Sequence, residues 1–67
     1  MPVLKVIELL ASSEKSWEDA AQHAVKMASK TISGIRSVYI QDQSAVVKGD
    51  KITEYRVTAK VTFEVLS

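Results

Sequence analysis

From Glu54 to Val65 the chain alternates without a break. Tyr55, Val57, Ala59, Val61, Phe63 and Val65 fall on one side, and Glu54, Arg56, Thr58, Lys60, Thr62 and Glu64 on the other. A side-chain period of two over twelve residues specifies a strand with one apolar and one polar face. Such a strand needs a pairing partner and a cover for its apolar side. The rest of the chain has to supply both.

The partner is the segment Ile35–Val47, which carries Val, Tyr and Ile without a helical period. It is joined to the last strand by Lys48-Gly49-Asp50-Lys51, the one good turn signal in this half. The two strands are expected to form a long antiparallel hairpin, with Tyr39 and Tyr55 able to pair across it. A further strand is read at Val3–Leu10, followed by Ala11-Ser12-Ser13 as a connection.

The cover is a helix. Ser16-Trp17-Glu18-Asp19 has the form of a capping box, and Ser13 is a second candidate cap. On a helical wheel Ala20, Ala21, Ala24, Val25, Met27, Ala28, Thr31 and Ile32 fall on the side of Trp17. Asp19, Gln22, His23, Lys26, Ser29 and Lys30 fall opposite. The alanines allow a sheet to approach closely, and Gly34 is read as the C′ residue that ends the helix. Glu18 and Asp19 at the start, with Lys26 and Lys30 toward the end, complement the helix dipole. The expected fold is α+β, in the order β-α-β-β: one domain over residues 1–67, a three-stranded antiparallel sheet wrapped on one amphipathic helix.

Size then limits what this fold can do alone. A chain of 67 residues encloses a modest core. It has no cysteine, so disulfides and thiolate metal sites are excluded, and one histidine cannot build a zinc centre of the usual kind. Association with further copies is the remaining way to hide an apolar fraction of 46%. The formal charge of +1 shows no basic stripe for nucleic acid. No apolar run has the length of a membrane span. Met1-Pro2-Val3-Leu4-Lys5 lacks the features of a secretory signal, so the expected location is the cytoplasm.

No nucleophile–base pair, phosphate-cradling glycine loop or metal-ligand cluster can be assembled from the sequence, so no enzyme is expected. His23 is read as solvated and Trp17 as core. Acidic and amide groups in mid-strand are unfavourable for strand propensity. Asp42 between Gln41 and Gln43 therefore suggests an oligomer axis or an ion site.

Taken together, several segments resemble the dodecin family over essentially the whole chain. They are Lys5-Val6-Ile7-Glu8-Leu9, Ala11-Ser12-Ser13-Glu14, Ser16-Trp17-Glu18-Asp19-Ala20-Ala21, Tyr55-Arg56-Val57 and Val61-Thr62-Phe63-Glu64-Val65. The resemblance implies a hollow dodecameric shell that stores or buffers flavins such as riboflavin or FMN, and in some members coenzyme A. It also implies a flavin pocket at Ser37, Arg56 and Arg36. Flavin-binding members carry a stacking Trp where this chain has Ser37, and a Gln where it has Arg56. An aromatic platform is worth about 1–3 kcal/mol by analogy with base stacking, so flavin binding is expected to be weak or absent. Arg36 and Arg56 around Ser37 suit an anionic ligand better, unless Arg56 pairs with Glu54 or Glu64.

Some members without that Trp are linked with calcium, and the Ser16-Trp17-Glu18 helix start and Asp50-Lys51-Ile52-Thr53 with Tyr55-Arg56 resemble that subset. Asp42, Gln43 and Glu14 are the candidate metal ligands, with Gln41 beside them. Lys15 stands where some relatives carry an acidic residue. Calcium takes roughly six to eight oxygens, so copies would have to share the ion. A calcium or magnesium buffer, a flavin-binding member with a remodelled pocket, and an oligomer without a small ligand are the other functions in view.

Overall fold

A computed structural model describes residues 3–65. It contains four elements: β1 (Val3–Ser13), α1 (Trp17–Ala28), β2 (Ile35–Lys48) and β3 (Lys51–Val65). They form one antiparallel sheet in the order β1-β3-β2, so the alternating last strand lies in the middle. This is the expected β-α-β-β arrangement with one helix on one sheet face.

The pattern of the central strand is realised as written. Val57, Ala59 and Val61 are buried against the helix, with Tyr55 and Phe63 half-buried at either end of that row. From the helix, Ala20, Ala24 and Ala28 are buried, Ala20 with no exposed surface at all. Three methyl side chains on successive turns let α1 settle directly on β1 and β3, while it scarcely reaches β2. Tyr39 faces Lys60 on the polar side and Tyr55 faces Ala45, so the two tyrosines do not pair.

Three expectations are corrected. Strand β1 runs to Ser13, because Ala11, Ser12 and Ser13 pair with Val57, Arg56 and Tyr55. Cross-strand pairing here overrides the weak strand propensity of Ala and Ser. The helix stops at Ala28, before Thr31 and Ile32. Ser29, Lys30 and Thr31 follow as a turn, and the β-branched and hydroxyl residues of Ser29–Ser33 are poor helix formers. Gly34 therefore does not end the helix. Its φ of 78° lies at the entrance to β2, where its carbonyl accepts from the Glu64 amide at 3.0 Å. Met27, placed on the Trp17 side, is 60% exposed, because the covered stripe narrows to the alanines.

Gly49 has φ 67° and Asp50 does not have a positive φ, the pattern of a II′ hairpin turn between Lys48 and Lys51. Three register shifts mark the hairpin, leaving Arg36, Gln41 and Thr53 as extra residues. Bulges on β2 hinder further strand addition at that edge and re-aim side chains.

The chain is long and thin, 51 × 20 × 13 Å, with a radius of gyration of 13.7 Å. A compact globule of this length would have about 11 Å. Val57 and Val61 are its largest fully buried side chains, whereas Leu4, Val6, Leu10, Tyr39, Val47 and Ile52 are exposed.

Candidate functional site

Two open clefts flank the end of β1 and share Ser12 and Glu54. One, of about 480 Å³, lies at the helix start and is lined by Ser12, Ser13, Glu14, Lys15, Asp19, His23 and Glu54. The other, of about 360 Å³, lies on the sheet's outer face, away from the helix. Leu10, Ala11, Ser12, Ser44, Glu54, Arg56 and Thr58 line it.

The first cleft is organised by Asp19. Ser16 caps α1, its hydroxyl accepting from the Asp19 amide at 3.0 Å, which fixes Asp19 in the first turn. Ser13 is no helix cap. Its hydroxyl donates to the Asp19 carboxylate at 2.6 Å and accepts from the Lys15 amide at 2.9 Å. One turn further on, His23 Nε2 lies 3.4 Å from the same carboxylate, and its Nδ1 lies 3.4 Å from the Ser12 carbonyl. The Ser13 hydroxyl holds the Asp19 carboxyl below the usual Asp range. Partial burial opposes this, and the charges of His23 and Lys15 support it. His23 is thus part of a linked group, although its ring is half exposed. The i,i+4 spacing of Asp19 and His23 was a legible signal for their contact. The part played by Ser13 was not, because it depends on where β1 ends.

On the opposite side of the helix start, Trp17 Nε1 donates to the Ser44 carbonyl of β2 at 2.9 Å. Its ring meets Tyr55 edge-on with centroids 4.9 Å apart. Trp17 is half-buried, a tie between helix and sheet more than a core filler.

The residues marked for the flavin pocket lie apart within one chain. Ser37 is opposite Thr62, and Arg56 is opposite Ser12 and Ser44. Six steps along β3 separate these rows, roughly 20 Å at about 3.3 Å per residue. Arg36, an extra residue of the first bulge, forms an ion pair with Glu64. Arg56 Nε lies 3.8 Å from Glu54, the looser of the two pairs.

The metal candidates do not converge either. Asp42 faces Thr58 on the outer side and Gln43 faces Val57 on the inner side, while Glu14 lines the cleft at the helix start. Gln41 is the extra residue of a bulge. Among the described residues, no group of three or more His, Cys, Asp or Glu side chains could hold an ion. One chain alone does not fit calcium.

The elements and clefts define a class of protein: a small α+β domain with one helix-covered sheet face and one uncovered, grooved face. The family model for dodecin matches residues 3–66, and the chain belongs to the dodecin family. It is 40% identical over 65 residues to the calcium dodecin of Mycobacterium tuberculosis, covering 96% of this chain and 90% of that one. A crystal structure from the same organism, of a calcium-chelating antigen described as a calcium dodecin with a novel calcium-binding site, superposes with a TM-score of 0.82. It shows 35% identity, with 96% and 91% of the two chains covered. An arginine-to-alanine variant of the Thermus thermophilus dodecin superposes with a TM-score of 0.94 at 27% identity, covering both chains completely.

Proposed function

We propose that this chain is the one-domain subunit of a dodecin-type homo-oligomer, a dodecameric cytoplasmic shell that stores or sequesters a small ligand between its copies. The observation that carries this reading is the outer sheet face. Leu4, Val6, Leu10 and Tyr39 lie there uncovered, Leu10 at 82% exposure, beside a groove with polar groups on its floor. Leu4 and Val6 adjoin, and Glu8 and Lys60 separate them from Leu10 and Tyr39, so the face mixes exposed apolar and charged groups, as interfaces between copies do. The work of such a subunit is binding: the one hydroxyl that meets a carboxylate in these clefts, Ser13 on Asp19, is buried and also accepts from the Lys15 amide, so it serves the fold.

Ser37 and Arg56 lie too far apart to serve one flavin within a single chain, so a ligand touching both would have to bridge copies. Without an aromatic ring at Ser37 that bridge lacks its stacking platform, and flavin binding is weak. Native mass spectrometry of the protein as purified tests the assembly: a single large homo-oligomer is expected, and a monomer would overturn it. A riboflavin fluorescence-quenching titration tests the flavin statement, and sub-micromolar quenching would contradict it.

A second reading is favoured by the 40% identity to a calcium dodecin. Copies meeting at a symmetry axis would bring Asp42, Gln43 or Glu14 together with their equivalents and so reach calcium's oxygen count. Calorimetry on metal-stripped protein distinguishes the two. Heat from calcium supports the ion buffer, and no heat from calcium or magnesium excludes it.

A further inference from the structure

One row of the sheet places the same chemistry on both sides of a guanidinium. Arg56 of β3 is directly opposite Ser12 of β1 and directly opposite Ser44 of β2. Directly paired residues in an antiparallel sheet project to the same face, so the three side chains stand in line on the outer face. With strands about 4.8 Å apart, the row spans roughly 10 Å. The next row brings the Thr58 hydroxyl beside Leu10.

The row is also held from behind. Trp17 donates to the carbonyl of Ser44, and His23 lies against the carbonyl of Ser12. Two side chains of α1, Trp17 and His23, therefore engage the two edge strands at one level. Among the described residues, the hydrogen bonds of Ser12 and Ser44 outside the strand ladder run through these carbonyls. Their hydroxyls are left to face the groove.

Arg56 is available to a ligand. Its side chain is 57% exposed, and Glu54 approaches one of its five donors at 3.8 Å. An exposed pair of that length contributes little and is readily exchanged. The remaining planar fork matches two oxygens of a carboxylate or phosphate. Leu10, in the next row of the same face, adds an apolar wall beside it. Glu54, next to the guanidinium, and Asp42, across β3 from Leu10, restrict the site to one small anionic group.

We propose that the Ser12–Arg56–Ser44 row binds a small oxyanion, a carboxylate or a phosphate monoester, whose apolar part lies on Leu10. This rests on the reading of the chain as a ligand-holding subunit and gives that ligand a chemical class. The test is calorimetry on the purified oligomer with phenyl phosphate, benzoate and uncharged benzyl alcohol. At least one of the two anions binds, and the tighter of them identifies the group. Benzyl alcohol binds at least tenfold more weakly. Arg56→Gln weakens anion binding tenfold or more, Ser44→Ala weakens it a few-fold, and Lys26→Gln, an exposed cation of α1 on the other side of the sheet, leaves it unchanged. Retention of wild-type affinity by Arg56→Gln, or equal binding of benzyl alcohol, overturns the proposal. So does silence from both anions. In each of those cases an oligomer that retains a different ligand by native mass spectrometry leaves the broader reading standing, whereas a monomer removes that reading by itself.

Discussion

The two faces of the sheet solve opposite problems with the same three strands. On the inner face, Val57, Ala59 and Val61 meet Ala20, Ala24 and Ala28, and β1 adds Ile7 and Leu9 half-buried. The fit closes within one chain. On the outer face β3 presents Arg56, Thr58, Lys60 and Thr62, an ordinary polar surface, but β1 presents Leu4, Val6 and Leu10 beside them. From Leu4 to Leu10 three of the four outward positions of this edge strand are large and apolar, Glu8 being the exception, which is unusual for a face meant for water. The centre of the inner face is finished in the monomer, with Val3, Val38 and Val65 left exposed beyond the helix, while the outer face has no cover at all, which separates residues that hold the fold from residues that would hold an assembly.

The sharpest way to break that separation is to damage each face in turn. Val61→Ala removes two buried methyl groups at a site with no exposed surface. At about 0.8 kcal/mol per methyl plus a cavity term, it should destabilise the fold by about 2–3 kcal/mol. The check is urea unfolding followed by circular dichroism. Leu10→Ser should leave the helix signal intact and shift native mass spectra toward smaller species. Burying a leucine is worth about 1.5–3 kcal/mol, so taking this side chain out of an interface should weaken association tenfold or more. If Leu10→Ser instead unfolds the subunit with its mass distribution unchanged, the two faces are not separable in this way.

Ties at the helix start come next in size. Ser16→Ala removes the cap on the Asp19 amide and should cost about 1 kcal/mol. Trp17→Phe keeps a ring against Tyr55 but loses the bond to the Ser44 carbonyl, at about 0.5–1.5 kcal/mol. Its distinguishing effect should be local: faster amide exchange in β2 near Ser44, with β1 unchanged.

How much of this could be read beforehand differs between the same two faces. The inner face was legible because it obeys simple periods, two for β3 and about 3.6 for α1, and because Ser16 carries a local capping signal. Where reading failed, a contact distant in sequence decided the outcome. Ser12 and Ser13 belong to β1 because Arg56 and Tyr55 are there to pair with them. The helix ends at Ala28 because the covered stripe ends, not because Gly34 arrives. On the outer face the side-chain types were plain but their rows were not. Ser37 and Arg56 look like neighbours in a family pattern, and register separates them. Two bulges in β2 shift that register, and no short-range signal announced them.

The smallest effect concerns the junction where both faces meet. Asp19 accepts from Ser13 and lies beside His23 and Lys15, and its carboxyl is held below the usual Asp range. In the unfolded chain that partner is gone and Asp19 returns to about 3.9. A carboxyl that binds its proton more weakly when folded stabilises the fold while it is ionised. That contribution is complete above the unfolded value and fades as pH falls through the lower, folded one. Ser13→Ala removes the largest cause of the shift. The melting difference between wild type and Ser13→Ala should therefore be constant from pH 7 to about 5 and shrink below about 4. Glu14→Gln, in the same cleft but outside the hydrogen-bonded group, should not reproduce that acid-limb change. A difference that grows on acidification would instead place the governing titration on another group of the cleft.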